Sequence, residues 1–322
     1  MSDGLIEGGS ASTSPRLAED GLSVSHDDTT PATPPADSAP PFGELPNGEP
    51  PLDEPPIEEP RQPLPFDTTV AHPARVYDYW LGGKDNFAPD REAARRVLEH
   101  NPAIVPGVRA NRAFLARVVS FLTAERGIDQ YLDLGTGLPS ANNVHEVAQA
   151  VNPAARVVYV DNDPIVLVHA HALLTGAPGT VSYVSADIRE AEPVIREAAR
   201  TLDLDRPVAV LLLMTLQFVT APHDPHALVR RLMEAVPSGS FLVISHPGSD
   251  IDESANQGTR TYNSMVSTSM ARRSRAEITE FFDGLELVEP GVVQIPLWRP
   301  GPDDEVPAGV QVPAYAGVAR KP

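Results

Sequence analysis

Cysteine is missing from all 322 residues. Its absence excludes disulfides, thiolate-ligated zinc, iron–sulfur clusters and a cysteine nucleophile. Long apolar runs are missing as well. The longest, Val208 to Met214, suits a buried strand and falls far short of a membrane span. The first residues show no basic start followed by an apolar stretch, so no secretory signal is expected. Positive charge is scarce: Lys and Arg total 25 against 44 acidic residues, a formal net of −19. That balance argues against a general binder of phosphate backbones. The expectation is a soluble cytoplasmic protein with neither a nucleic-acid nor a membrane partner.

The prolines and acids that are present cluster at one end. Met1 to Phe66 holds 14 of the 35 prolines, and its 13 acidic residues face only Arg16 and Arg61. Such a segment has too little apolar surface to offset its ordering entropy, so 1–66 is expected to be a disordered tail. A Pro-rich docking role around Pro50 to Pro65 is the alternative. The folded part, 67–322, divides into an N-terminal helical lid, 67–127, and a core, 128–322, in which strands and helices alternate.

Within the lid, Asp67 to Asn86 reads as loop with a short helix, Pro89 to His100 as a polar helix, and Val108 to Arg126 as an amphipathic helix stopped by Gly127. In the core, strands are expected at Gln130 to Leu134, Arg156 to Val160, Val181 to Ser185, Val208 to Met214 and Phe241 to Ser245. Helices fall between them, and Asp163-Pro164 and Asp224-Pro225 act as cap-plus-proline starts. This repeat predicts an α/β fold of Rossmann-like type: a mostly parallel sheet with helices on both faces and ligands at the carboxyl ends of the strands. His246 to Arg272 is polar and irregular. Ser274 and Glu277 form a capping box, and Leu285 to Leu297 with Tyr315 to Ala319 read as a terminal hairpin on the sheet edge.

Three acids end three consecutive strands. Asp133 lies in D-L-G-T-G with Gly135, Thr136 and Gly137, Asp161 follows Val157 to Val160, and Asp187 lies in S-A-D-I. Glycine permits a sharp turn and close approach to a ligand. An acid after the second strand accepts hydrogen bonds from ribose hydroxyls. Together these features point to an adenosine-type cofactor. The dinucleotide fingerprint G-x-G-x-x-G/A fails at Ser140, and Pro139 spoils its phosphate turn. Asp133 would repel a pyrophosphate and would suit the ammonium of a methionine moiety. S-adenosylmethionine (SAM) therefore fits better than NAD, and an NAD-dependent dehydrogenase is the disfavoured alternative.

The segments Y-L-D-L-G-T-G, V-V-Y-V-D-N-D-P and S-A-D-I resemble the class I SAM-dependent methyltransferases. More narrowly, V-A-H-P-A-R-V-Y-D-Y-W-L-G-G-K-D-N-F (Val70 to Phe87), R-A-N-R-A-F-L (Arg109 to Leu115), L-G-T-G-L-P-S and F-F-D-G-L-E-L-V-E-P-G (Phe281 to Gly291) resemble the actinobacterial S-adenosyl methyltransferase family. That family was long catalogued as a domain of unknown function. The resemblance covers 67–322. It implies a seven-stranded sheet with a final antiparallel strand, and SAM as cofactor, but no substrate. It places Asp133, Gly135 and Gly137 in the first motif, Asp161 at the ribose, Asn162 beside the adenine, Asp187 and Ile188 at the adenine edge, and Met214 to Leu216 facing the methyl donor.

Methyl transfer can rest on proximity and alignment, and it needs a base only if the nucleophile must lose a proton. No catalytic residue is therefore required. His246 and Tyr77 are candidates, with loop and packing roles as their alternatives. Arg109 could pair with the SAM carboxylate or form a surface ion pair. The lid concentrates Arg75, Tyr77, Asp78, Tyr79, Trp80, Lys84 and Asn86. No metal is expected; His223 and His226 flank a helix start. Arg272, Arg273 and Arg275 read as a solvated helix end. The leading function is methyl transfer to a small-molecule acceptor. A non-catalytic SAM-binding regulator that docks through the acidic tail is the other reading.

Overall fold

The computed structural model describes residues 66–173, 179–266, 268–301 and 311–322. The expected tail, apart from Phe66, lies outside the described residues.

Five strands form the parallel part of the sheet: β1 (Gln130–Leu134), β2 (Arg156–Asp161), β3 (Val181–Ser185), β4 (Ala209–Leu213) and β5 (Phe241–Pro247). Three antiparallel pieces follow: β6 (Glu286–Leu287), β7 (Val293–Gln294) and β8 (Ala314–Arg320). The spatial order is β3-β2-β1-β4-β5-β8-β6, with β7 also paired to β8. The connections run outward from β1 in one direction to β3, then return to β4 and run the other way. This reversal opens a crevice between the carboxyl ends of β1 and β4, where ligands of such sheets bind.

The apolar residues alternate between the two faces, as strand geometry requires. Leu132, Val158, Val210 and Leu242 face one core, with α6 (Ala191–Ala198), α7 (Pro225–Glu234) and α9 (Arg275–Glu280). Tyr131, Val157, Leu211 and Val243 face the other, with α3 (Ile104–Arg126) and α4 (Val144–Val151). Completing the helices are α1 (Pro73–Leu81), α2 (Ala88–His100), α5 (Pro164–Leu173) and α8 (Glu253–Asn263). No helix among the described residues is long and apolar enough to cross a membrane.

Three expectations change. First, α3 begins at Ile104, four residues before the predicted start, because Pro106 falls in the first turn, where its missing N–H costs nothing. Second, 246–272 contains a helix, α8, read from sequence as irregular. Its buried face is Ala255, Gly258, Thr259 and Tyr262, too small and polar for an apolar periodicity to show. Third, the terminal antiparallel pair forms at the sheet edge as expected, but its first strand is two short pieces, β6 and β7. β8 inserts beside β5, and β6 and β7 both pair along its other edge, with Pro290 and Gly291 between them. Gly317 of β8 makes this packing possible, since a Cβ there would sit 2.9 Å from the Phe282 ring.

The lid is also composed differently from the sequence boundary. α3 packs on the sheet, whereas α1, α2 and α8 share a separate cluster of Ala71, Val76, Ala93, Ala94, Val97 and Tyr262. Arg75 and Asp90 fasten that cluster. Asp90 accepts from the amides of His72 and Phe87 and lies 3.2 Å from Nε of Arg75.

Candidate active site

A cavity of about 530 Å³ follows the carboxyl rim of the sheet from β3 to the start of β8, roofed by α1, α2 and α8. Asp133, Gly135, Thr136, Gly137, Asp161, Asn162, Asp187, Ile188 and Met214 all line it. Residues up to 81 apart in sequence thus meet at one rim.

The turn after β1 is built for close approach. Gly135 has φ +73°, and a Cβ there would lie 2.2 Å from the Thr215 methyl. Gly137, at φ +67°, donates its amide to Oδ2 of Asp161 at 2.9 Å. The other oxygen of Asp161 accepts from the amide of Asp163 at 2.9 Å. The carboxylate is therefore oriented before any ligand arrives, and each oxygen keeps a lone pair for a further donor.

Two of the acids are buried. Burial pushes Asp133 up to about 7; Arg112 pulls it back and the nearby Asp161 pushes it further. Burial also raises Asp161, against the backbone bonds from Asp163 and Gly137. Such a pair favours a ligand bringing positive charge and hydrogen-bond donors. Asp187 differs. Arg189 donates to it from its backbone at 2.9 Å and from Nε at 2.8 Å, and these bonds hold its carboxyl below the usual range. An adenine amino group would share Asp187 with Arg189, which also lines the cavity.

Arg109 is corrected. It is exposed and does not line the cavity. Arg112, one turn on, does, and its guanidinium donates to the carbonyls of Ala141 at 2.8 Å and Asn142 at 3.0 Å. The cavity-facing stripe of α3 includes Val108, Asn111, Arg112 and Leu115.

His246 is corrected too. It is fully buried and outside the cavity wall. Its Nδ1 lies 3.0 Å from the Pro247 carbonyl, which makes Nε2 the acceptor for Arg273 at 2.6 Å. Burial and that guanidinium press its pKa to about 3, so it is a neutral packing group. Tyr77 does line the cavity, but its hydroxyl accepts from Asn111 Nδ2 at 3.0 Å, and burial raises its pKa, the wrong direction for a base. Asn111 Oδ1 in turn accepts from Ser245 Oγ at 2.7 Å, which accepts from the Met214 amide at 3.0 Å. Tyr77 thus helps tie α1 through α3 to the ends of β4 and β5.

Of the arginine cluster, Arg275 is exposed at the start of α9 as expected, but Arg272 and Arg273 are not part of a solvated helix end. Arg273 is buried and donates to the carbonyls of Leu216 at 3.2 Å and Val219 at 2.8 Å. Arg272 lines the cavity, and burial lowers its pKa to about 10. His226 stacks on Phe281 at 4.4 Å, away from the rim. Sequence reasoning missed Asn101 and Gln217 in the cavity wall. The available signal for Gln217 was its place three residues beyond Met214.

Comparison with known proteins agrees with this geometry. Residues 59–322 match the model of the S-adenosyl methyltransferase family. The chain belongs to that family. It is therefore an enzyme that transfers methyl groups, with SAM as cofactor. A solved structure of a protein from Streptomyces avermitilis, assigned to a family of unknown function numbered 574, is 42% identical. It covers 80% of this chain and 99% of its own, with a TM-score of 0.76. A proposed methyltransferase from Thermobifida fusca is 38% identical over 82% of this chain and 99% of its own, with a TM-score of 0.75. No curated protein matches the chain. The fold is α/β with a mostly parallel sheet and antiparallel strands at its C-terminal end, and nothing in these matches favours the non-catalytic reading.

Proposed function

We propose that this methyltransferase holds SAM across the ends of β1, β2 and β3 and methylates a small molecule bound beyond β4. The buried carboxylate of Asp133, raised to about 7 and open to the cavity, carries this reading. A carboxylate so placed gains most from a cation, and the ammonium of SAM supplies one.

Asp133 pairs with that ammonium. Asp161 accepts from the ribose hydroxyls, with Gly137 and Asp163 keeping it aimed. Asn162, Asp187 and Ile188 edge the adenine. Gly135 and Thr136 bring the backbone against the methionine part, where Arg112 stands in place of Arg109. When bound, SAM supplies a methyl group on a sulfonium, a carbon ready for in-line displacement. Met214 has φ +52° and is held by the amide bonds to Ser245 Oγ and the Ser245 carbonyl, so it keeps the β4 end in one arrangement. The lid helices exclude water. Residues 67–322 would form the catalytic unit, with the acidic segment before them as an accessory extension. A cytoplasmic setting belongs to the same reading and rests on composition alone.

Hydrogen exchange of the full chain with and without S-adenosylhomocysteine tests the placement. Protection is expected at 135–137, 161–163 and 186–189. Protection confined to other segments would overturn it.

A further inference from the structure

The segment that follows β4 is fastened at nearly every polar atom. The Met214 amide donates to Ser245, the Leu216 and Val219 carbonyls accept from Arg273, and the Gln217 carbonyl accepts from the Ala271 amide at 2.9 Å. The side chain of Gln217 is pinned as well, since Nε2 donates to the Met214 carbonyl at 2.6 Å. Its Oε1 is left without a partner, although the residue is 5% exposed and lines the cavity. A second carbonyl oxygen, Oδ1 of Asn101, is orphaned at 2% exposure on the same wall. The hydroxyl of Tyr262, on the same wall, is unpartnered too. Leaving a buried acceptor unmatched is costly, so the two carbonyl oxygens ask for a donor from the ligand.

The surroundings narrow the ligand. Beyond Met214 the wall mixes the apolar Val97, Ile104, Phe218 and Met270 with Thr259, Tyr262 and Thr268. The lining carboxylates all stand elsewhere. Asp133, Asp161 and Asp187 end β1 to β3, and Asp78 and Asp85 belong to the lid segment that docks on α5 through Asp85 and His169, 3.3 Å apart. Arg272 lines the cavity beside the Ala271 that binds Gln217. Arg272 donates through Nε to the Gly248 carbonyl at 2.9 Å and through Nη2 to the Pro313 carbonyl at 2.8 Å. Among the described residues its hydrogen bonds run from Nε and Nη2, and Asp252 is the carboxylate near enough to act on its charge.

We propose that the acceptor is an arylamine carrying a carboxylate, with its N–H held on Gln217 Oε1 and its carboxylate on Arg272. This rests on the cofactor placement above. The amide oxygen of Gln217 is no base, and the histidine and carboxylates that line the cavity, His72, Asp78, Asp85, Asp133, Asp161 and Asp187, belong to α1, the segments flanking it and the ends of β1 to β3. A hydroxyl would need a base. A neutral amine does not: its lone pair forms the N–C bond as the C–S bond breaks, and that bonding pair stays on sulfur, giving S-adenosylhomocysteine. The methylated ammonium then releases its proton to water. An arylamine is a weak base because its lone pair is shared with the ring, so the nucleophile is already neutral before attack.

The test is calorimetric or ligand-observed NMR titration of the full chain, loaded with S-adenosylhomocysteine. The probes are 3- and 4-aminobenzoate, their methyl esters and 4-hydroxybenzoate. The aminobenzoates are expected to bind about ten-fold or more tighter than the esters, the size of one charge-assisted hydrogen bond. Arg272→Gln should erase that difference and Arg272→Lys should keep part of it. Gln217→Leu should weaken the aminobenzoates by a similar factor and leave S-adenosylhomocysteine affinity in place. Esters binding as well as acids, a preference for the hydroxybenzoate, insensitivity to Gln217→Leu, or no probe binding to the loaded chain would each overturn the proposal. Failure of S-adenosylhomocysteine itself to bind would overturn the cofactor placement, and this proposal with it.

Discussion

The amide of Gly137 donates to Oδ2 of Asp161 across 2.9 Å, so the glycine turn after β1 and the acid ending β2 form one unit. Neither half of the cofactor cradle is independent of the other.

Asp161→Ala should therefore do two things. It removes the proposed ribose contact and frees the amides of Gly137 and Asp163. SAM affinity should fall by roughly 1.5–3 kcal/mol, the range for a hydrogen bond to a charged group. Isothermal titration calorimetry measures it, and an unchanged affinity removes Asp161 from the site.

Asp133 predicts a pH dependence. Its folded pKa, about 7, lies above the ordinary 3.8. Between those values the folded chain keeps a proton that the unfolded chain has released, so ligand-free stability should fall as pH rises from about 4 to about 7. A cationic ligand favours the ionised form, so SAM affinity should rise with pH up to about 7 and then flatten. Asp133→Asn should remove both trends in denaturation and titration series.

The two arginines of α3 should separate cleanly. Arg109→Ala should leave SAM affinity unchanged because its side chain is exposed outside the cavity. Arg112→Ala should weaken it and shift the Asp133 transition to higher pH, since Arg112 holds that pKa down. The same titration series checks both.

Gly135→Ala should destabilise the fold. Overpacking and a left-handed backbone each cost on the order of 1–3 kcal/mol. Thr215→Ala added to it should relieve only the clash with the Thr215 methyl and recover part of the loss. Chemical denaturation reads both.

Much of this was legible in the sequence because local chemistry and global topology agree. The alternation of strands and helices, the Asp163-Pro164 and Asp224-Pro225 starts and the Ser274–Glu277 capping box all recur in the structure. Asp224 and Ser274 each accept from a first-turn amide. The rim acids were visible because strand ends sit at one edge of a parallel sheet. What stayed hidden depended on facing and on distant partners. Which of Arg109 and Arg112 faces the cavity is set by how α3 packs on the sheet. The burial of His246 depends on Arg273, 27 residues on. The helix α8 buries small and polar side chains, which leave no apolar stripe. The free oxygen of Gln217 shows only once its other groups are accounted for.

The most direct measurement is calorimetric titration of the full chain with SAM, and with NAD as control. One SAM site per chain is expected, with NAD giving no measurable binding. A folded protein that takes up no SAM, or that binds NAD instead, would contradict the account.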